Sequence, residues 1–132
     1  MTTRTRLLLA LGALVALAVA ALLLSPLRVL VDDPADGEPV RGVDTVLVQD
    51  GEFAPPVIEV PVGTTVTWDF RDTDDGAPVA HNVKGDGFLS PDLQRGRFRR
   101  AFDRPGSFRY RCDLHLAMRG RVDVVADPAA GR

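Results

Sequence analysis

The sequence is poor in the residues that carry covalent and metal chemistry. Its 132 residues hold one cysteine, Cys112, two histidines, His81 and His115, and one methionine past the initiator, Met118. A single thiol excludes a disulfide within the chain. It also excludes zinc sites built from four thiolates or from two Cys and two His. An excess of basic charge is missing too. Beyond residue 31 the remaining 101 residues hold 13 of the 16 basic side chains and all 18 acidic ones, a formal charge of −5. That balance argues against a nucleic-acid footprint. Internal repeats, low-complexity tracts and helical periodicity after residue 31 are all absent. One domain with one core fits in 101 residues, and two do not.

What is present is unevenly placed. Of the 45% hydrophobic residues, an unbroken block runs from Leu7 to Leu24, made of Leu, Ala, Val and one Gly. Arg4 and Arg6 precede it, and the next charge is Arg28. The uncharged stretch 7–27 would be about 30 Å long as a helix, enough to cross a bilayer. A secretory signal usually has a shorter apolar region of about 7–15 residues. The A-x-A-like site, Ala18-Val19-Ala20, lies inside the run, and cutting there would leave four apolar residues at a soluble N-terminus. Residues 1–31 therefore read as an uncleaved anchor, with a cleaved signal as the alternative. The arginines would stay inside and the rest would be extracytoplasmic, periplasmic or on the outer face of the membrane. The segment lacks the paired arginines of a twin-arginine signal and a nearby Cys for lipidation.

Residues 32–42 are acidic and broken by Pro and Gly, and they read as a tether. Short β-type runs follow: Val43–Val48, Val57–Val60, Thr64–Phe70, Val79–Val83, Arg97–Phe102, Ser107–Cys112 and Gly120–Ala126. Turn punctuation separates them at Pro55-Pro56, Pro61-Val62-Gly63, Asp72–Pro78 and Arg104-Pro105-Gly106. About seven or eight short strands in such a length predict an all-β sandwich, preceded by one hydrophobic helix. Trp68, Phe70, Phe102 and Phe108 are candidate core residues. Arg95, Arg97, Arg99 and Arg100 read as a solvated strand face, with docking of an acidic partner as the alternative.

Three of the four scarce residues fall within seven positions, as Cys112-x2-His115-x2-Met118, in the turn between the last two expected strands. His81 stands 31 residues before Cys112, at the end of a loop. Taken singly, each has a bland reading. A lone Cys is usually a small buried hydrophobe, His115 a surface histidine, and Met118 core filler. Taken together, a thiolate, two imidazoles and a thioether are the ligand set of a mononuclear blue-copper site. Thiolate and thioether suit Cu(I), and imidazole also suits Cu(II). A cage that tolerates both states implies one-electron transfer.

The sequence resembles the small blue-copper cupredoxins, the plastocyanin, pseudoazurin and amicyanin group, over about residues 50–125. The resemblance is carried by Phe53-Ala54-Pro55, by Ile58-Glu59-Val60 and by Gly63-Thr64-Thr65-Val66-Thr67-Trp68. It continues in His81-Asn82-Val83 and in Pro105–Cys112, and the Cys112-to-Met118 spacing is most similar to amicyanin. It implies a Greek-key cupredoxin sandwich at residues 43–127, followed by a tail at 128–132. It further implies that His81, Cys112 and His115 are equatorial copper ligands and Met118 the axial one, with Asn82 tying the two ligand loops together near the Cys. Two departures stand out. Leu114 and Leu116 flank the second His where amicyanins usually have prolines. The loop before His81 is long and acidic, with Asp72, Asp74 and Asp75.

The expected function is a membrane-tethered, monomeric carrier of single electrons between redox protein partners, donor and acceptor, and not an enzyme. Leu114, Leu116 and Ala117 around His115 form the candidate docking surface. The alternative is a copper-binding or copper-delivery protein without redox turnover. A structural zinc site is disfavoured because Met is a poor zinc ligand. A multicopper oxidase or nitrite reductase would need more domains and usually a His beside the Cys, where this chain has Asp113. A dinuclear copper centre would need two Cys.

Overall fold

Strand Thr64–Phe70 shows how the alternation in the sequence becomes a layer. Its β-branched and aromatic residues suit a pleated surface, and every second side chain points one way. In the computed structural model Val66, Trp68 and Phe70 are accordingly buried, while Thr65 is exposed. The structure describes residues 3–24, 33–71, 73–74 and 77–127. Expectations at residues 1–2, 25–32, 72, 75–76 and 128–132 lie outside the described residues.

The chain divides into two units, residues 1–32 and 33–132. The first contains helix α1 (Thr3–Leu24), whose span Thr3–Ala21 is long and apolar enough to cross a membrane.

The second is all β. A six-stranded sheet is ordered β1 (Val40–Arg41), β4 (Val57–Pro61), β12 (Arg119–Val125), β11 (Gly106–Arg111), β8 (Lys84–Gly85) and β9 (Phe88–Leu89). A four-stranded sheet is ordered β10 (Gly96–Phe102), β5 (Thr64–Phe70), β2 (Thr45–Gln49) and β3 (Glu52–Ala54). Both are mixed, with β12 parallel to β4 and β2 parallel to β5. A two-stranded ribbon, β6 (Thr73–Asp74) with β7 (Ala77–Pro78), stands apart. Val46, Val48 and Trp68 from one sheet and Ile58, Tyr110 and Val122 from the other belong to one buried cluster, which makes the pair of sheets a sandwich.

Among the described residues the two sheets hold ten strands, more than the seven or eight expected. The extra ones are too short to show a period: β1 and β9 have two residues each and β3 has three. Val79–Val83 is not a strand. It forms a single bridge, His81 to Leu93, before β8 begins.

The acidic segment expected as a tether is laid against the sheet from residue 33 onward. Asp33 caps a 3-10 turn at Pro34–Asp36 by accepting from the Ala35 N–H at 2.9 Å, and Ala35 is buried. Asp33 pairs with Arg119 and Arg109, Asp36 pairs with Arg109, and Arg121 donates to Ala35 O. Val40 and Arg41 then pair with β4. Asp carboxylates spaced three apart meet arginines that alternate on the outer face of β11 and β12, an arrangement that a reading of one segment at a time does not reveal.

Close packing sets the course of β11 toward Cys112. Tyr110 pairs with Gly120, and its ring lies across that glycine: a Cβ there would sit 2.3 Å from Tyr110 Cζ. Tyr110 also packs edge-on against Phe53 and Trp68, with ring centroids 4.8 and 5.2 Å apart. Burial pushes its phenol pKa up.

Candidate metal centre

Two segments converge at one end of the sandwich. The first, His81-Asn82-Val83, is buried throughout. The second runs from the end of β11 to the start of β12 and contains Cys112, His115 and Met118. Its ends are closed on each other, with the Cys112 N–H donating to Met118 O at 3.1 Å and the Met118 N–H to His115 O at 3.0 Å. Antiparallel pairing of β11 with β12 forces the chain to reverse here, so residues 112–118 must form a tight loop.

The loop and the His81 segment bring three of the four candidate residues together. Ligand atoms of His81, Cys112 and His115 all lie within 4.8 Å of one another. Cys112 Sγ is 4.0 Å from His81 Nδ1 and 3.8 Å from His115 Nδ1. A trigonal centre with metal–nitrogen bonds of about 2.0 Å and metal–sulfur bonds of about 2.3 Å would need an S···N separation of about 3.7 Å. The pocket therefore has the dimensions of a metal site. His81, Cys112 and Met118 are each 1% exposed, whereas His115 is half-buried. Two imidazoles, a thiol and a thioether are a soft and borderline donor set that suits copper better than the hard cations.

Asn82 joins the two segments. Its backbone N–H donates to Cys112 Sγ at 3.5 Å, and its Oδ1 accepts from the Asp113 N–H at 2.9 Å. Asp113 also lies 2.8 Å from Lys84 Nζ and 3.0 Å from Arg111 Nε. The Lys84 ammonium, with Arg111 beside it, holds the Asp113 carboxyl below the usual carboxylate range. Around His115, Leu114 is 49% and Leu116 89% exposed, and Ala117 is exposed as well.

Sequence reasoning missed the segment that supports the first ligand. Ser90, Asp92 and Leu93 all bond to residues 81–83. Ser-Pro-Asp between short strands reads as an ordinary turn, and nothing in its spacing signals a neighbour ten residues back. The arginine cluster lies on β10 and the residue just before it. Arg95, Arg97 and Arg99 are exposed, Arg97 lies 3.8 Å from Asp69, and Arg100 stacks over Phe88 at 4.3 Å.

A search against protein-family models and a search of curated proteins each find no match. Solved structures do match. The chain is similar to a purple cupredoxin from Nitrosopumilus maritimus, with 30% identity and a TM-score of 0.55 over 63% of this chain and 100% of that one. It is similar to a copper-containing nitrite reductase from Thermus scotoductus SA-01, with 30% identity and a TM-score of 0.53, over 70% of this chain but 23% of that one. It is also similar to the oxidised state of a proline-to-alanine variant of amicyanin, with 27% identity and a TM-score of 0.54, over 64% of this chain and 83% of that one. Fold and site together define a cupredoxin sandwich with a His-Cys-His-Met cluster. This chain belongs to the cupredoxin family.

Proposed function

We propose that the chain is a type 1 blue-copper electron carrier whose copper is held by His81, Cys112, His115 and Met118. The observation that carries this reading is the meeting of a buried thiol with two imidazoles at 3.8 and 4.0 Å, with the buried Met118 hydrogen-bonded to Cys112 through its backbone carbonyl. Copper bound there would supply a one-electron Cu(I)/Cu(II) couple.

The chain's own residues do the rest. The Asn82 N–H stabilises negative charge on Cys112 sulfur. The His81 backbone is held by two bonds to Leu93, of 2.9 and 2.8 Å, and its side chain is buried at 1% exposure, so its ring has little freedom to follow a change of oxidation state. His115 is the donor nearest solvent and serves as the electron port. Leu114, Leu116 and Ala117 offer an apolar rim on which a redox partner, donor or acceptor, can dock and exclude water. Asp113 follows Cys112 directly, and its carboxylate is taken by Lys84 and Arg111, which supports a carrier without substrate chemistry although one similar structure is an enzyme.

The apolar helix supports an extracytoplasmic placement, with residues 7–27 as a membrane anchor and the copper domain working as a monomer beyond it. The test is to add Cu(II) to the full-length chain in mild detergent, record the visible spectrum and titrate the potential. An intense band near roughly 600 nm, as a copper–thiolate site of this kind gives, with reversible cycling supports the carrier. A colourless chain that retains only Cu(I) supports copper delivery instead.

A further inference from the structure

The Ser90–Leu93 stretch between β9 and β10 runs antiparallel to the first ligand segment and clasps it. His81 and Leu93 exchange two backbone hydrogen bonds. The Ser90 N–H donates to Val83 O, and Ser90 Oγ accepts from the Val83 N–H, both at 2.9 Å. Between these pairs, Asp92 Oδ1 accepts from Asn82 Nδ2 at 2.8 Å. Asn82 is thus contacted from three directions: by Asp92, by the Asp113 N–H and, through its own backbone, by Cys112 Sγ.

A side-chain amide has two ends of nearly equal shape, and its neighbours decide which way round it sits. Here they leave one choice. The Asp113 N–H can only donate, and a carboxylate can only accept. Reversing the amide would set NH2 against N–H and C=O against a carboxylate, in a residue only 5% exposed. The carboxylate therefore selects the orientation in which Asn82 Oδ1 receives Asp113, the residue next to Cys112.

We propose that Asp92 is a positioning residue of the copper site: its carboxylate orients the Asn82 amide and thereby fixes the join between the His81 and Cys112 segments. The inference rests on the copper reading above for its redox consequence, and on geometry alone for the positioning. Asp92 adds a second effect through its charge. A nearby negative charge favours the more positive, oxidised state of a metal couple, so removing it raises the potential. Loosening the N–H···S bond withdraws stabilisation from the electron-rich reduced state and lowers the potential. Two variants separate these effects. Asp92→Asn removes the charge and keeps a carbonyl acceptor, while Asp92→Ala removes both.

In the metal-free full-length chain, amide hydrogen exchange at Asp113 and Asn82 reads the join directly. Asp92→Ala should speed exchange at Asp113 by about tenfold, as expected for losing a hydrogen bond to a charged group. Asp92→Asn should do so by less, and amides in β5 and β12 should be unchanged in both. Unchanged exchange at Asp113 in Asp92→Ala, or acceleration spread evenly over both sheets, overturns the positioning role. In the copper-loaded chain, Asp92→Asn should raise the potential and Asp92→Ala should raise it less. Potentials equal to the parent chain's in both variants overturn the link to copper. If the parent chain binds copper without a blue band, the carrier reading fails, while exchange in the metal-free chain still decides the role of Asp92.

Discussion

His81 is 1% exposed in a segment pinned by backbone pairing on one side and by Asn82 on the other, whereas Leu116, one residue past His115, is 89% exposed. The two segments that meet at the site are built on opposite plans. Residues 81–83 behave as an extension of the core, held by bonds to residues 90–93 and by the apolar cluster that includes Val83. Residues 112–118 bury Cys112 and Met118 but turn Leu114, Leu116 and Ala117 outward. The difference separates two tasks that conflict. A metal couple that must not rearrange needs a fixed donor, and a partner that must come and go needs an accessible one. Under the carrier function proposed above, placing the fixed donor in the clasp and the accessible one in the loop would let one small site serve both.

The comparison breaks most completely at Cys112, whose sulfur meets a histidine from each segment. Cys112→Ser should abolish the blue band of the copper-loaded chain altogether, since the thiolate is its source, and any surviving band near roughly 600 nm would point to another ligand set. On the clasp side, Ser90→Ala removes the acceptor of a buried N–H, that of Val83. Stranding such a group costs about 1–3 kcal/mol, so the melting temperature of the metal-free chain should fall by several degrees. On the loop side, Leu116→Asp alters a side chain that is almost wholly solvated. Stability should stay within about 0.5 kcal/mol of the parent, and the colour should persist, while electron exchange with a redox partner slows. Equal melting temperatures for the Ser90 and Leu116 variants would erase the distinction between clasp and loop.

The smallest expected effect concerns residues 33–36, which are held at the surface largely by charge. Burial acts to raise the Asp33 pKa, but the Ala35 N–H and Arg119 outweigh it and leave the carboxyl below its usual value. The folded state then binds fewer protons than the unfolded one, so this contribution is complete above the ordinary carboxylate pKa of about 4 and is lost as pH falls through the lower, folded value. Asp33→Asn should therefore flatten the acid limb of the stability curve slightly and leave the curve near pH 7 parallel to the parent's, measured by thermal melts across pH.

Much of the site was legible because its spacing is local. Cys112, His115 and Met118 lie within seven positions, and a reversing loop between two paired strands leaves them few ways to avoid one another. The long strands were legible for a similar reason. Val66, Trp68 and Phe70 bury one face of β5 by simple alternation, and the Pro and Gly turns bracket it. The two-residue strands carried no such pattern, and the Arg-Asp pairs that lay residues 33–36 along the sheet join positions more than seventy apart.

The sequence by itself therefore determined an apolar N-terminal run, an all-β domain and the inventory of one metal site, because periodicity and scarcity are properties of the chain alone. Tertiary structure decided how the distant His81 comes to Cys112 and what holds its segment there. His81 reaches Cys112 across 31 positions because β8 pairs antiparallel with β11, and Asp92 reaches Asn82 because β8 also pairs antiparallel with β9 in the same sheet. Strand pairing and close packing set those contacts between segments, and nothing in the local spacing of either segment encodes them.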